Sequence, residues 1–127
     1  MSERRRLFGT DGVRGVANDD LTCSMAYSLG QSAVTLLGKD ILIGKDTRKS
    51  GDMLEAALIS GIMSAGGTAH LAGVIPTPAV ALLTRTHGYD GGAVISASHN
   101  APQYNGIKFF DAKGFKLDER TEQRFED

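Results

Sequence analysis

Between residues 40 and 98 the chain alternates short apolar runs with stretches of helical period, and that alternation limits the fold more than any other feature. The clearest helical signal covers residues 52–65. Leu54, Ala57, Leu58, Gly61, Ile62 and Ala65 fall at i, i+3, i+4, i+7, i+8 and i+11, a single apolar stripe. Ser50 is the expected N-cap of this helix, and Gly66-Gly67 the stop. Runs of strand length flank it, DILIGKD before and TAHLAGVI after. A second helix is expected in PTPAVALLTRTHG, capped by Thr77, with Pro78 at the first helical position, where a missing N–H costs nothing. GGAVISAS then reads as a strand. Upstream, Ala26, Leu29, Ala33, Leu36 and Leu37 keep helical spacing from Thr22 to Gly38. Such alternation implies an α/β fold, a layered, mixed but largely parallel sheet with helices packed on its faces. IKFFDAKGFKL reads as a strand pair around Lys113-Gly114, which would mix the sheet at one edge.

The remaining segments are less regular. LFGTDGVRGVANDDLT has many Gly and Asp residues and no period, so it reads mostly as loop or irregular strand. HNAPQYNG reads as a loop ending in an Asn-Gly turn, and DERTEQRFED as a polar helix that stops in mid-pattern.

At 127 residues and 41% hydrophobic, the chain suits one domain that buries roughly two thirds of its unfolded surface. Fourteen basic and fifteen acidic residues leave a net charge of -1, so no pooled charge recommends nucleic acid or a membrane surface as partner. Arg4-Arg5-Arg6 is short enough to be a solvated arm. The single cysteine, Cys23, excludes an internal disulfide and suits a reducing cytoplasm. No apolar stretch approaches the ~20 residues a bilayer demands, and a signal-peptide core is absent from the N-terminus. The expectation is a soluble, cytoplasmic protein.

In parallel α/β sheets, sites gather at the carboxyl ends of strands. Ser98 lies at such an end, as do Lys45, Asp46 and Arg48 after ILIG. The Ser98-His99 pair suggests a hydrolase, but neighbours on an extended chain point to opposite faces, so His99 is poorly placed as a base for Ser98. Neither G-x-S-x-G nor S-x-x-K is present around these serines. As a bare motif, a serine there is most often a turn residue.

FGTDGVRG spaces Gly9, Gly12 and Gly15 by three around Arg14. It is not G-x-G-x-x-G, and without a strand-to-helix turn it does not read as a dinucleotide site. It is either an entry loop or a tight bend that brings backbone and the forked Arg14 guanidinium to an anion. Lys108 alone reads as a snorkelling strand lysine; with Arg14 it would flank Ser98 with positive charge. All three are expected at strand ends or loops, converging on the sheet's carboxyl edge. A serine between two cations, without a triad, suits phosphoryl transfer better than acyl transfer. The cations would offset the charge of about -1.5 to -2 on a phosphoserine.

FGTDGVRG, GKDTRKSG and ISASHN…NGIKFF, in that order along almost the whole chain, together resemble the α-D-phosphohexomutase superfamily. They are most similar to its phosphoglucosamine mutase branch, which opens F-G-T-D-G-[IV]-R-G where phosphomannomutase and phosphoglucomutase relatives carry Y-D-[IV]-R-G. The resemblance implies that residues 1–127 form domain 1, the phosphoserine domain, cut within its C-terminal helix. Domains 2–4 of the same chain would be its partners, with a homodimer as a further possibility. It implies an enzyme that interconverts glucosamine 6-phosphate and glucosamine 1-phosphate through a bisphosphate intermediate, in peptidoglycan precursor synthesis. Alternatives are a sister mutase acting on mannose or glucose phosphates, or an anion-binding assembly module of another class.

Carried over by motif, Ser98 matches the phosphoserine, whose phosphate would give one oxygen to a single Mg²⁺, the other metal ligands lying outside this chain. His99 and Asn100 match the loop beside it, Asn100 on the substrate side. Lys108 and Arg14 match residues that contact the reacting phosphate. Asp46 and Arg48 match G-x-D-x-R and are expected to pair and brace their loop. A sugar 1,6-bisphosphate activator is implied, and the 127-residue chain alone should fold without turning over substrate. The family usually reads S-H-N-P-x-x-D-N-G-I-K. Here Ala101 replaces the proline, Pro102 follows one place late, and Tyr104 stands where Asp is usual. The loop keeps its length, so Ser98 and Lys108 should keep their relation.

Overall fold

Thr22 ends the irregular entry of the chain and starts its first helix. Its hydroxyl accepts a hydrogen bond from the Met25 amide at 3.1 Å, and α1 runs over Cys23–Leu37 with Gly38 at its C-cap. The computed structural model describes residues 8–9, 12–17, 21–96, 104–118, 121 and 124–125. Its other elements are β1 (Phe8–Gly9), β2 (Gly12–Val16), β3 (Asp40–Lys45), α2 (Ser50–Ser64), β4 (Thr68–Val74), α3 (Thr77–Thr86), β5 (Gly91–Ile95) and β6 (Tyr104–Asp111).

The six strands form one sheet in the order β1-β2-β6-β5-β3-β4. β3 pairs in parallel with β4 and β5, while the pairs β5–β6, β6–β2 and β2–β1 are antiparallel. β2, β3, β4 and β5 therefore all run the same way, and the sheet has the largely parallel, mixed character expected. The mixing is not confined to an edge, because β6 is inserted between β5 and β2. The opening segment, read as mostly loop or irregular strand, supplies the β1–β2 hairpin.

Helices cover both faces. On one side α1 and α2 close over Val13, Ile41, Ile43, Ile95, Ile107 and Phe109; on the other α3 seats Val80 against Leu42, Val94 and Phe110. All of β5 is buried, which explains why its sequence is a continuous apolar run instead of an alternating one.

α1 and α2 meet backbone to backbone. A Cβ at Gly61 would run into the Tyr27 carbonyl, and one at Gly30 into the Leu58 carbonyl. Small residues here are a requirement of the crossing, and the helices could not approach so closely otherwise.

Four local expectations need correction. Ser50 is the first residue of α2, Lys49 takes the cap position, and no side chain caps that end. Likewise Thr77 opens α3 from inside while Pro76 stands at its N-cap. Asn105-Gly106 is no turn but part of β6, held there by pairing with β2. Of the strand pair expected around Lys113-Gly114, the first strand is the end of β6, while the second is reduced to a turn, with Gly114 at φ 82°, and a single bridge between Phe110 and Lys116.

The tail holds a further correction. Phe125 is 5% exposed and packs on Phe109 with ring centroids 4.8 Å apart, so the polar-looking tail contributes an aromatic to the core. Phe125→Ala should destabilise the domain by about 3 kcal/mol, the scale of a core Phe deletion. A urea midpoint unchanged from wild type would show that this packing is dispensable.

Candidate functional site

The parallel register ends β3 and β5 side by side. Lys45 stands opposite Ile95, and the Asp46 amide donates to the Ile95 carbonyl at 3.0 Å. The GKDTRKSG loop therefore leaves the sheet beside the strand that leads into SASHN. Asp46 folds this loop on itself. Its Oδ1 accepts the Arg48 amide at 3.0 Å and its Oδ2 the Arg48 Nε at 3.1 Å, the bracing pair expected from the motif.

Ser98, His99 and Asn100 lie outside the described residues, as do Ala101 and Pro102. The described chain leaves at Ser96 and returns at Tyr104. Around that gap the backbone brings two other candidates into register. Arg14 in β2 stands opposite Gly106 in β6, and the Gly106 carbonyl accepts the Ser96 amide at 2.9 Å. Arg14, Gly106 and Ser96 thus form one row, from β2 through β6 to the residue that follows β5. Lys108, half-buried, lies two residues along β6, opposite Val94. Neither cation is at a strand end or in a loop, as had been expected; both belong to strands. They reach this edge because β6 runs antiparallel, so its beginning meets the end of β5.

A cluster at the same edge escaped the sequence reading. Lys45 Nζ donates to Asp52 Oδ1 at 2.6 Å and to Glu55 Oε1 at 2.9 Å. These hydrogen bonds, Asp52 first and Glu55 second, hold the ammonium above its ordinary value of 10.5, and burial pulls the other way. The Asp52 side chain is 83% exposed and water screens it, whereas Glu55 is 12% exposed. Glu55 is thus the partner that matters for stability. Its Oε2 is buried and finds no hydrogen-bond partner among the described residues, so Lys45 carries most of its compensation. The available signal was the i, i+3 spacing of Asp52 and Glu55, which puts two carboxylates on one side of α2.

The raised value fixes the sign of a pH effect. The folded state binds this proton more tightly than the unfolded chain, so the contribution is complete below 10.5 and fades as pH climbs through the folded value. Lys45→Met should lower the urea midpoint at neutral pH, and its deficit should shrink in strong alkali. A deficit that stays constant into that range would assign the loss to packing instead of charge.

Among the described residues, no three His, Cys, Asp or Glu gather as a metal ion would need, and no helix is long and apolar enough to cross a membrane.

Residues 5–127 match the family described as phosphoglucomutase/phosphomannomutase, alpha/beta/alpha domain I. The chain is 57% identical over 126 residues to a phosphoglucosamine mutase of Clostridium acetobutylicum, covering 95% of this chain and 28% of that protein. It is 55% identical over 127 residues to a phosphoglucosamine mutase of Caldicellulosiruptor bescii, covering 96% and 28%. A solved phosphoglucomutase/phosphomannomutase family protein from Burkholderia thailandensis shares the fold at a TM-score of 0.81 and 27% identity, over 94% of this chain and 29% of that one. The chain spans under a third of the length of the curated relatives it matches. Sequence and architecture agree over nearly all of it: the chain belongs to the phosphoglucomutase/phosphomannomutase family, in which it corresponds to the α/β/α domain I.

Proposed function

We propose that this chain is the phosphoserine-bearing domain of a phosphoglucosamine mutase, a cytoplasmic isomerase that interconverts glucosamine 6-phosphate and glucosamine 1-phosphate. The observation that carries the reading is the 57% identity, over 95% of the chain, to a protein of that name. In this reading Ser98 Oγ carries a phosphoryl group. The group passes to the free hydroxyl of the sugar phosphate to form a bisphosphate, and the sugar's other phosphoryl group then returns to Ser98. A sugar 1,6-bisphosphate primes the serine.

Arg14 and Lys108 supply the positive charge that phosphoryl transfer needs around the moving group, and His99 and Asn100 line the serine's loop. The row that joins Arg14, Gly106 and Ser96 supports this grouping. An oxygen of the Ser98 phosphate would hold Mg²⁺, which would offset negative charge on the moving group. In the same reading its other ligands lie outside this chain.

The test uses the full-length gene product with Mg²⁺, a glucose 1,6-bisphosphate primer and three substrates in turn. Glucosamine 6-phosphate should give the highest kcat/KM, about tenfold or more above mannose 6-phosphate and glucose 6-phosphate, a gap of about 1.4 kcal/mol. Preference for either of the others would assign the chain to a sister mutase. The 127-residue chain alone should show no turnover, because most of the positioning would come from the remaining domains.

A further inference from the structure

Asn105 is a fully buried polar side chain in a sheet, and both ends of its amide are occupied. Nδ2 donates to Ser50 Oγ at 2.9 Å, and Oδ1 accepts the Gly106 amide at 2.9 Å. The first bond joins residues 55 apart in sequence. It ties the start of β6 to the first residue of α2, and neither residue plays the turn or cap role that its sequence suggests.

This bond closes a ring. The Asp46 amide holds the Ile95 carbonyl, the next residue's amide (Ser96) holds the Gly106 carbonyl, and the neighbouring Asn105 side chain reaches Ser50. From Ser50 the chain itself leads back through the Arg48–Asp46 pair. Residues 97–103, which include Ser98, leave from this ring at Ser96 and rejoin it at β6. Of the described residues on either side, Ser96 is held by its amide on Gly106, and the start of β6 by its strand pairing together with the Asn105 side chain. Lys108 and the register partner of Arg14 lie on the same strand, within three residues of Asn105.

We infer that Asn105 is a positioning residue for phosphoryl transfer at Ser98, acting through Ser50. The inference rests on the proposed mutase reading. In-line transfer tolerates little displacement, and a 1 Å error introduced away from the chemistry costs roughly 10²-fold in rate. Without the bond, the start of β6 is held to α2 only by packing, so the first turn of α2 and the braced loop before it can shift against the strand at which residues 97–103 rejoin the sheet. The substrate's own contacts are untouched, so the loss falls on kcat.

The test compares Ser50→Ala, Asn105→Ala, the double variant and Ser50→Thr in the full-length enzyme. Each alanine variant should lower kcat by about 10- to 100-fold and leave KM for the phosphosugar within about threefold. Because both single changes break one bond, the double variant should be no slower than the slower single variant. Ser50→Thr keeps the hydroxyl and should restore kcat to within about threefold of wild type. Ser50 is only partly buried, so Ser50→Ala remains informative if Asn105→Ala fails to fold. A lower Tm with kcat per folded molecule unchanged, or losses that add in the double variant, would overturn the inference while the mutase reading stands. A wild-type enzyme without mutase turnover would overturn both.

Discussion

Ser98→Ala in the full-length enzyme is expected to reduce mutase turnover by about 10⁴-fold or more, the scale observed when a covalent nucleophile is removed. The reaction proposed here stores a phosphoryl group on the protein between two transfers, and a methyl group cannot accept it. Arg14 and Lys108 would remain, but a cationic pocket without an acceptor only binds. Intact mass after incubation with the bisphosphate primer provides a second readout: wild type should gain one phosphate and the variant none. The competing acceptor is Ser96, at the end of β5 with its amide on the Gly106 carbonyl. Turnover retained in Ser98→Ala, with the phosphate mapped to Ser96, would move the chemistry two residues upstream.

The second large effect is expected at the crossing of α1 and α2. Gly61→Leu should leave no folded domain. Helix propensity predicts the opposite for small substitutions, since replacing a mid-helix Gly by Ala gains about 1 kcal/mol. At Gly61 the new Cβ meets the Tyr27 carbonyl, which is backbone and cannot swing aside. α1 would have to lift from α2, loosening Leu29 from Leu54, Leu58 and Ile62. Overpacking of this kind costs about 1–3 kcal/mol for an added carbon or two, so Ala should be net destabilising and Leu far more so. Against a total stability of about 5–15 kcal/mol, the leucine variant has little left. Circular dichroism and urea melts decide the matter; a Gly61→Ala protein more stable than wild type would show that the crossing yields easily.

How much of this was legible beforehand depends on where each signal resides. α1, α2 and the strands β3 to β5 could be read because their periods are local and strong. The β1–β2 hairpin could not. Its Gly- and Asp-rich sequence has no intrinsic strand preference, and β2 is a strand because β6 pairs with it. The same tertiary override turned Asn105-Gly106 from an apparent turn into the middle of the sheet. Ser50 and Thr77 were sound cap residues placed one position too far inside their helices. Ser50 was then recruited by Asn105, a partner 55 residues away that no local pattern announces.

The site divides the same way. Ser98, His99, Asn100, Arg14 and Lys108 were named from motif spelling. The Asp46–Arg48 pair was expected from the family's G-x-D-x-R motif, and it forms within a two-residue turn of the loop. The Lys45–Glu55 pair was missed because it crosses from a strand end to the second turn of the next helix. That distance is set by how the braced loop folds.

The insertion of β6 between β5 and β2 also has a temporal side. Ribosomes extend a chain from its N-terminus, and domains fold as their parts emerge. β2 is made first, yet its lateral neighbour toward the core is about ninety residues downstream, where Val13 meets Ile107. At bacterial and eukaryotic elongation rates that gap corresponds to roughly 5–20 s of synthesis. The parallel strands and their helices can dock on one another during this interval, while the opening FGTDGVRG segment has no strand of its own sheet to join. The loop that carries Ser98 is translated before β6, so the nascent chain holds its serine before it holds the register that sets Arg14 in place. The edge where Arg14 stands opposite Gly106 therefore waits until the strand bearing Lys108 slides between its two neighbours.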